Sequence, residues 1–388
     1  MNIVFFRYKN ICEPDYIEAF KKLGINVVEV FLDSLGATDL ESQIAAVDSQ
    51  IRSATPMFVF TINFFPYISI VCEHLKVKYV SVSVTCPMLE IYNKTIRNSC
   101  NRVFLFDQEQ FLSVRDENPE GIFHLALGAA VERLDAATQN AVDFKYDVSF
   151  VGSLYNEKDP FINLKISDEE KIRYEELMRN QMESTICGQN LLEEEIGDED
   201  VVQIKLAADD FYPSDLSVFN LDRFVAINNY LSPHMTYLER VLIMNRLGES
   251  YGEKINLFTN SDVSATRGIS CHGPVNTITE MPLVFSQSKI NLNISTRSIK
   301  TGIPQRVWDV LGNGGFLLTN YQDELSDYFK IGEDIEVYNS HDELIEKIDY
   351  YLSHEDKRLE IAAKGYQTVK ASNSTLNRVI EIIKIIAN

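Results

Sequence analysis

The chain is short of positive charge, of tryptophan, of closely spaced cysteines and of long apolar runs. It has 36 Lys and Arg against 57 Asp and Glu, a formal charge of −21, and a single Trp. A surface that acidic repels phosphate backbones and anionic lipid, so general binding to nucleic acid or membranes by charge is disfavoured. A phosphate site must then be local, built from a few cations and backbone amides. The six cysteines (Cys12, Cys72, Cys86, Cys100, Cys187, Cys271) never lie closer than 14 residues. That spacing offers neither a zinc knuckle nor a redox pair and argues against a disulfide framework. The longest apolar region, Pro56–Leu75, is broken by Thr61, Asn63 and Pro66 and contains Glu73 and His74. It reads as a strand followed by a buried helix, with no integral membrane segment. At the N-terminus, Arg7 and Lys9 follow the apolar stretch, the wrong order for a signal peptide, and a cytoplasmic location is expected. No G-x-G-x-x-G follows any predicted strand, which argues against a dinucleotide site.

What is present is an ordinary globular composition, 45% apolar and 24% charged over 388 residues, enough for two or three domains. Short β-rich runs alternate with amphipathic helices through the first 125 residues. Strands are expected at Asn2–Phe6, Asn26–Phe31, Met57–Thr61, Lys78–Val84 and Arg102–Phe106. Pro14 suits a helix N-terminus, Tyr16, Ile17, Phe20 and Leu23 form one helical face, and Gly24 suits the position after its end. Further helices are expected over Leu40–Arg52 and Tyr67–Leu75. Alternation of this kind means a parallel sheet covered on both faces.

A second set of strands begins at 147–152 and resumes at Lys254–Thr259, Ile269–His272, Lys289–Ile294, Gly315–Thr319 and Ile335–Tyr338. Between them, residues 160–247 show helical pattern with the acidic runs Glu193–Glu195 and Asp198–Asp200. Residues 146–245 hold 20 acidic against 8 basic side chains, more than half the net charge. This segment reads as a helical insertion with a solvated face. Asp198-Glu199-Asp200 imitates a D-x-D metal motif, but no strand precedes it, and no metal is expected. Ser340 with Glu343 forms a capping box, and helices over 355–369 and Leu376–Ile386 close the chain. Two such sheets would face a cleft between their strand C-termini, where ligands bind in open α/β folds.

The stretch richest in chemistry runs from Ser298 to Gly315, from a strand end through Lys300 and Gly302 into a helix with Pro304 in its first turn. A loop-to-helix junction of this kind favours an anion, and a diphosphate fits it. Arg306 and Asp309 share a helix face, with Val307, Val310 and Leu311 turned inward. A cation for phosphate beside a carboxylate for a ribose diol suits a nucleoside diphosphate. The competing reading is a surface ion pair and a tight turn. A second loop, Gly152-Ser153-Leu154-Tyr155-Asn156-Glu157-Lys158, also follows a strand and could admit a ligand backbone-on. His124 lies near a strand end and could touch a sugar or an acceptor, although a lone His there is more often structural. His272 and Asn276 follow another strand and could line a base pocket, while His234 carries no distinguishing pattern.

The blocks DVSFVGSLYNEK, FSQSKINLNIS and SIKTGIPQRVWDVLGNGGFLLTNYQDEL, with TINFFPYIS, NRVFLFDQ and FHLAL in the first part, resemble the CgeB-like (spore-maturation type) glycosyltransferases of the GT-B fold. The resemblance implies sugar transfer from a nucleotide-diphosphate donor held mainly by the C-terminal domain. It maps a glycine and a lysine that contact the diphosphate onto Gly152 and Lys158. Ser153 stands where relatives often carry Arg, so Arg297, Lys300 or Arg306 would make that contact. It places the ribose carboxylate at Asp309 and puts Thr301, beside Gly302, where a sugar-binding glutamate is usual. Ala130 stands at an aspartate position of the linker, and Thr85-Cys86-Pro87 lacks the Asp that could serve an inverting enzyme as base.

The expected architecture is therefore α/β and GT-B: residues 1–140 a Rossmann-like acceptor domain, and 141–370 a Rossmann-like donor domain with the acidic insertion at about 160–247. Residues 371–388 would form a helix returning toward the first domain. The expected activity is a glycosyltransferase using a UDP-sugar, without a required metal or other cofactor, with retaining transfer favoured. Its acceptor would be a glycan or protein, in a bacterial surface-glycan or spore-glycosylation setting, and a homodimer is compatible with the sequence. Arg306, Lys300 and His124 are the expected catalytic residues. Gly152, Ser153, Lys158, Asn276, Arg297, Thr301, Gly302 and Asp309 are expected to bind the donor. The alternatives are a non-catalytic nucleotide-sugar or glycan-binding protein and a UDP-sugar epimerase.

Overall fold

The computed structural model describes residues 2–36, 39–139, 143–184 and 191–387, so Cys187 lies outside the described residues. The chain divides into two compact units. Unit 1 comprises residues 1–130, 215–219 and 373–388; unit 2 comprises 131–214 and 220–372.

Unit 1 is built on six parallel strands: β1 (Asn2–Arg7), β2 (Asn26–Phe31), β3 (Phe58–Ile62), β4 (Lys78–Val82), β5 (Asn101–Leu105) and β6 (Ile122–His124), in the order β2-β1-β3-β4-β5-β6. Ile3, Val4, Phe5 and Phe6 are all fully buried, so alternate side chains on both faces of β1 are covered, as a parallel sheet requires. On one face the helix Glu13–Lys22 and the C-terminal helix Thr375–Ala387 contribute Tyr16, Phe20, Val379, Ile382 and Ile386 to one core with Phe5, Phe58 and Phe60. The Phe5 and Phe20 rings meet Phe60 edge-on at 4.8 and 5.0 Å, a geometry that aligns ring edges with ring faces. Leu23, expected on the buried helical face, is 38% exposed because the helix stops at Lys22 and Gly24 turns the chain with φ +74°. The apolar region read as strand and helix is β3 and the helix Pro66–Leu75. No helix among the described residues is long and apolar enough to cross a membrane.

Unit 2 has a second six-stranded parallel sheet: β7 (Tyr146–Val151), β8 (Ile255–Phe258), β9 (Ser270–His272), β10 (Ser288–Asn293), β11 (Leu317–Asn320) and β12 (Glu336–Tyr338), in the order β12-β11-β10-β7-β8-β9. Val148, Phe150, Leu257, Ile290 and Leu292 pack with Ile243, Met244 and Leu247 of the long helix Ser232–Tyr251. The acidic stretch after β7 is helical, over Asp168–Ser184, Leu191–Glu195 and Asp198–Ala207. Asp200 accepts from Tyr174 Oη at 3.0 Å and pairs with Arg173, while Asp198 pairs with Arg223 at 2.9 Å, so two of the three D-x-D-like residues serve as ion-pair partners. Ser340 caps the helix His341–Ser353 by accepting from Glu343 N at 3.1 Å. Glu343 returns its bond to Asn339 N, one residue before the cap, at 2.7 Å.

A candidate diphosphate site at the strand switch of unit 2

The strand order of unit 2 reverses beside its first strand. From β7 the chain builds outward through β8 and β9, then returns to place β10, β11 and β12 on the other side. Connections leave β7 and β10 in opposite directions, which opens a crevice at their C-terminal ends. The two loops singled out in the sequence are the ones that border it.

The loop after β7 is pinned from below. Gly152 N donates to Phe258 O at 3.0 Å, Leu154 N to Ser261 Oγ at 2.7 Å, and Tyr155 N to Ser153 Oγ at 2.7 Å. A Cβ on Gly152 would meet the Phe150 ring at 3.3 Å. Glycine here keeps the backbone bare over an aromatic ring; no left-handed φ demands it. Lys158 is exposed on the same loop, its ammonium 5.4 Å from the Tyr155 ring centroid.

The loop after β10 carries Arg297, Lys300, Thr301 and Gly302. Arg297 N donates to Thr236 Oγ1 at 3.0 Å, and its guanidinium makes a two-pronged bond with Glu239, Nε to Oε2 at 2.8 Å. Both side chains are buried, at 10% and 5% exposure. Burial alone would raise the Glu239 carboxyl, but the Arg297 charge, with His341, holds it below its ordinary range. Lys300 Nζ bonds Glu193, a half-exposed residue of the acidic segment, at 2.9 Å. Thr301 Oγ1 donates to Glu324 Oε1 at 2.8 Å, Glu324 N returns a bond to Thr301 O at 3.2 Å, and Gln322 Nε2 reaches Gly302 O at 3.3 Å. Glu324 is 1% exposed. A buried carboxylate therefore stands beside Thr301 although the Thr itself brings none.

The helix Gln305–Gly312 follows, entered through Pro304 in extended conformation with no side-chain cap. Val307, Val310 and Leu311 are buried as the spacing predicts, and Trp308 is fully enclosed. Asp309 Oδ1 accepts from Gln305 Nε2 at 2.9 Å. Arg306 Nη1 stands 3.8 Å from Asp309 Oδ2, too far for a hydrogen bond, with its guanidinium 5.0 Å from the Phe285 ring centroid. The pair is thus a loose charge contact rather than a closed salt bridge, and Arg306 keeps a quarter of its side chain exposed.

Gly152, Ser153, Arg297, Lys300, Thr301 and Gly302 thus lie on the two loops of one crevice. Lys158 is farther along the first loop, and Arg306 and Asp309 ride the helix that leaves the second. Asn276 sits beyond β9, two strands from β7, where its Oδ1 accepts from Ile278 N at 2.9 Å and Thr279 N at 3.1 Å. His124 ends β6 and belongs to unit 1, its ring 6.0 Å from Phe111, whereas the other expected site residues belong to unit 2.

Sequence reasoning missed Glu239, Arg240 and Glu324. Arg240 Nη1 donates to Ser153 O at 2.6 Å and Nη2 to the Ile294 carbonyl, so one side chain of the Ser232–Tyr251 helix holds both loops. The signal was available. Met235, Glu239, Ile243 and Leu247 recur every four residues, as do Thr236, Arg240 and Met244, placing the charges in buried stripes.

Residues 240–384 match the family model described as "Glycosyl transferase-like". No curated protein matches the chain. Among solved structures it is similar to a sucrose-phosphate synthase from Thermosynechococcus elongatus, at 8% identity and TM-score 0.60, covering 100% of this chain and 98% of that one. It is also similar to a glycosyltransferase from Rickettsia africae, at 11% identity and TM-score 0.56, covering 100% and 99%. Anabaena HepE, solved in complex with UDP-glucose, matches at 8% identity and TM-score 0.52, covering 100% and 99%. The α/β chain is a GT-B fold of two six-stranded parallel sheets, and it carries a glycosyl transferase-like domain over residues 240–384.

Proposed function

We propose that the protein transfers a sugar from a UDP-sugar to a glycan or protein hydroxyl, with the donor held by unit 2. The observation that carries this is the convergence of both candidate loops on the β7/β10 strand switch, beside the Arg306–Asp309 helix. The uridine preference rests on the similarity to HepE, which was solved with UDP-glucose.

In this reading Asp309 accepts hydrogen bonds from the ribose diol, while Lys300, Arg306 and Lys158 face the diphosphate. The bond between the anomeric carbon and the β-phosphate oxygen breaks, and the acceptor oxygen bonds that carbon. In the retaining course, which we favour, the acceptor proton passes to the departing phosphate, so Thr85 is not required as a base. Negative charge grows on the β-phosphate as the sugar leaves, and side-chain cations stabilise it without a metal. The CgeB-like setting, a cytoplasmic location, a homodimer and a role for His124 at the acceptor belong to the same proposal.

The test is release of UDP from UDP-glucose by the full-length chain, with and without soluble glycan acceptors, in excess chelator. Acceptor-dependent release supports transfer. Tight UDP binding without turnover across UDP-sugars would replace it with a nucleotide-sugar-binding role, and interconversion of free UDP-sugars with an epimerase.

A further inference from the structure

Arg240 is buried with no carboxylate in hydrogen-bond contact. Its two terminal nitrogens go to main-chain carbonyls, Ser153 O at 2.6 Å and Ile294 O, and its Nε is enclosed without a partner. The residue is 7% exposed, and its guanidinium carbon lies 5.3 and 5.0 Å from the ring centroids of Phe150 and Tyr155. The adjacent carboxylate, Glu239, directs both oxygens to Arg297. Taking a guanidinium out of water without a carboxylate bonded to it is costly, and carbonyl dipoles offset only part of that cost. Desolvation accordingly pushes the Arg240 pKa down; Tyr155, Glu239 and Tyr338 act against it, and the Arg306 charge adds a smaller push downward.

Geometry adds a second point. One planar fork spans the end of β10 and the loop after β7, so its width fixes their spacing at the strand switch. The loop after β7 has no cation of its own between Gly152 and Lys158. The charge beneath Ser153 comes instead from the helix.

We propose that Arg240 is the positioning residue of the donor's diphosphate, holding the two switch loops at a fixed separation and placing under Ser153 a cation bonded to carbonyls rather than to a carboxylate, whose charge the bound phosphates balance. The inference rests on the UDP-sugar reading above and deepens it: Arg240 discriminates diphosphate from monophosphate. A lysine keeps the charge but cannot bridge two carbonyls in one plane.

The experiment is calorimetry on the full-length chain with UDP and with UMP, alongside melting temperatures, for wild type, Arg240→Gln and Arg240→Lys. The UDP-to-UMP affinity ratio is expected to fall about tenfold in Arg240→Gln and about threefold in Arg240→Lys, the scale of a lost or weakened charge-assisted contact. A role confined to stability would lower the melting temperature and leave the ratio of the folded protein unchanged. Either folded variant with the wild-type ratio therefore overturns the inference, and if Arg240→Gln does not fold, Arg240→Lys decides. Failure of the wild-type chain to bind UDP overturns the donor reading and this inference together. UDP binding by wild type beside an unchanged ratio in the variants overturns the inference alone.

Discussion

Glu239→Gln should destabilise unit 2 by about 3 kcal/mol, the lower end of the range for removing one partner of a buried ion pair. The magnitude follows from the geometry. Both side chains are at most 10% exposed, so water cannot replace the lost charge, and Gln leaves the Arg297 guanidinium facing one neutral oxygen where it had two anionic ones. The protein carries its own reporter. Trp308 is the only tryptophan, fully buried in unit 2, with Tyr328 and Phe329 rings at 5.5 and 5.3 Å. Urea unfolding followed by its fluorescence reads unit 2 without interference from unit 1. The pH dependence has a definite sign. The folded Glu239 carboxyl lies below its ordinary value of 4.5. Its contribution is therefore fully present above that value and is lost as pH falls through the lower folded one. The gap between wild type and Glu239→Gln should stay constant above pH 4.5 and close on acidification. The pair Glu239→Leu with Arg297→Met should recover much of the loss, because neither charge is then left buried alone. A Glu239→Gln penalty below about 1 kcal/mol, or a gap that widens in acid, would refute the buried-pair account.

Asp309→Ala should weaken UDP binding by about 1.5–3 kcal/mol, the range for hydrogen bonds to a charged group, measured by calorimetry on protein shown to be folded. An unchanged dissociation constant would remove Asp309 from the ribose. Arg306→Lys should lower turnover more than donor affinity, since a contact with the β-phosphate strengthens as the sugar departs; a lower melting temperature beside unchanged turnover would make Arg306 structural. Gly365→Ala should cost about 1–3 kcal/mol by urea unfolding, because its Cβ would lie 2.4 Å from the Asp334 carbonyl oxygen and a backbone atom there yields little.

Local signals were easiest to read. The apolar runs at Phe58–Ile62 and Ser288–Asn293, the Pro66 helix start and the Ser340 cap each announce themselves within a few residues. So does the glycine-bearing loop after β7. β6 escaped because three residues, Ile122–His124, are too few to show a period. The Ser232–Tyr251 helix was assigned a solvated face because it adjoins the acidic segment, whereas Glu239 and Arg240 lie in its buried stripes. Only the loops they hold explain those charges, and the loop residues they bond lie 54 to 87 positions away in sequence. The segment 215–219 was equally hidden. Its Ser217 bridges Asn93, and Val218 N donates to Tyr92 O at 2.8 Å, pairings set by tertiary structure rather than by local pattern.

The three-part composition of unit 1 has a consequence for synthesis. Residues 1–130 leave the ribosome before unit 2, yet Val379, Ile382 and Ile386 of their core are made after it. At roughly 5–20 residues per second, the helix Thr375–Ala387 follows residue 130 by on the order of ten to fifty seconds. All of unit 2 is translated inside that interval. Unit 1 is begun before unit 2 and completed after it, so the core that Ile17 and Phe20 share with Val379, Ile382 and Ile386 cannot close until unit 2 has been made.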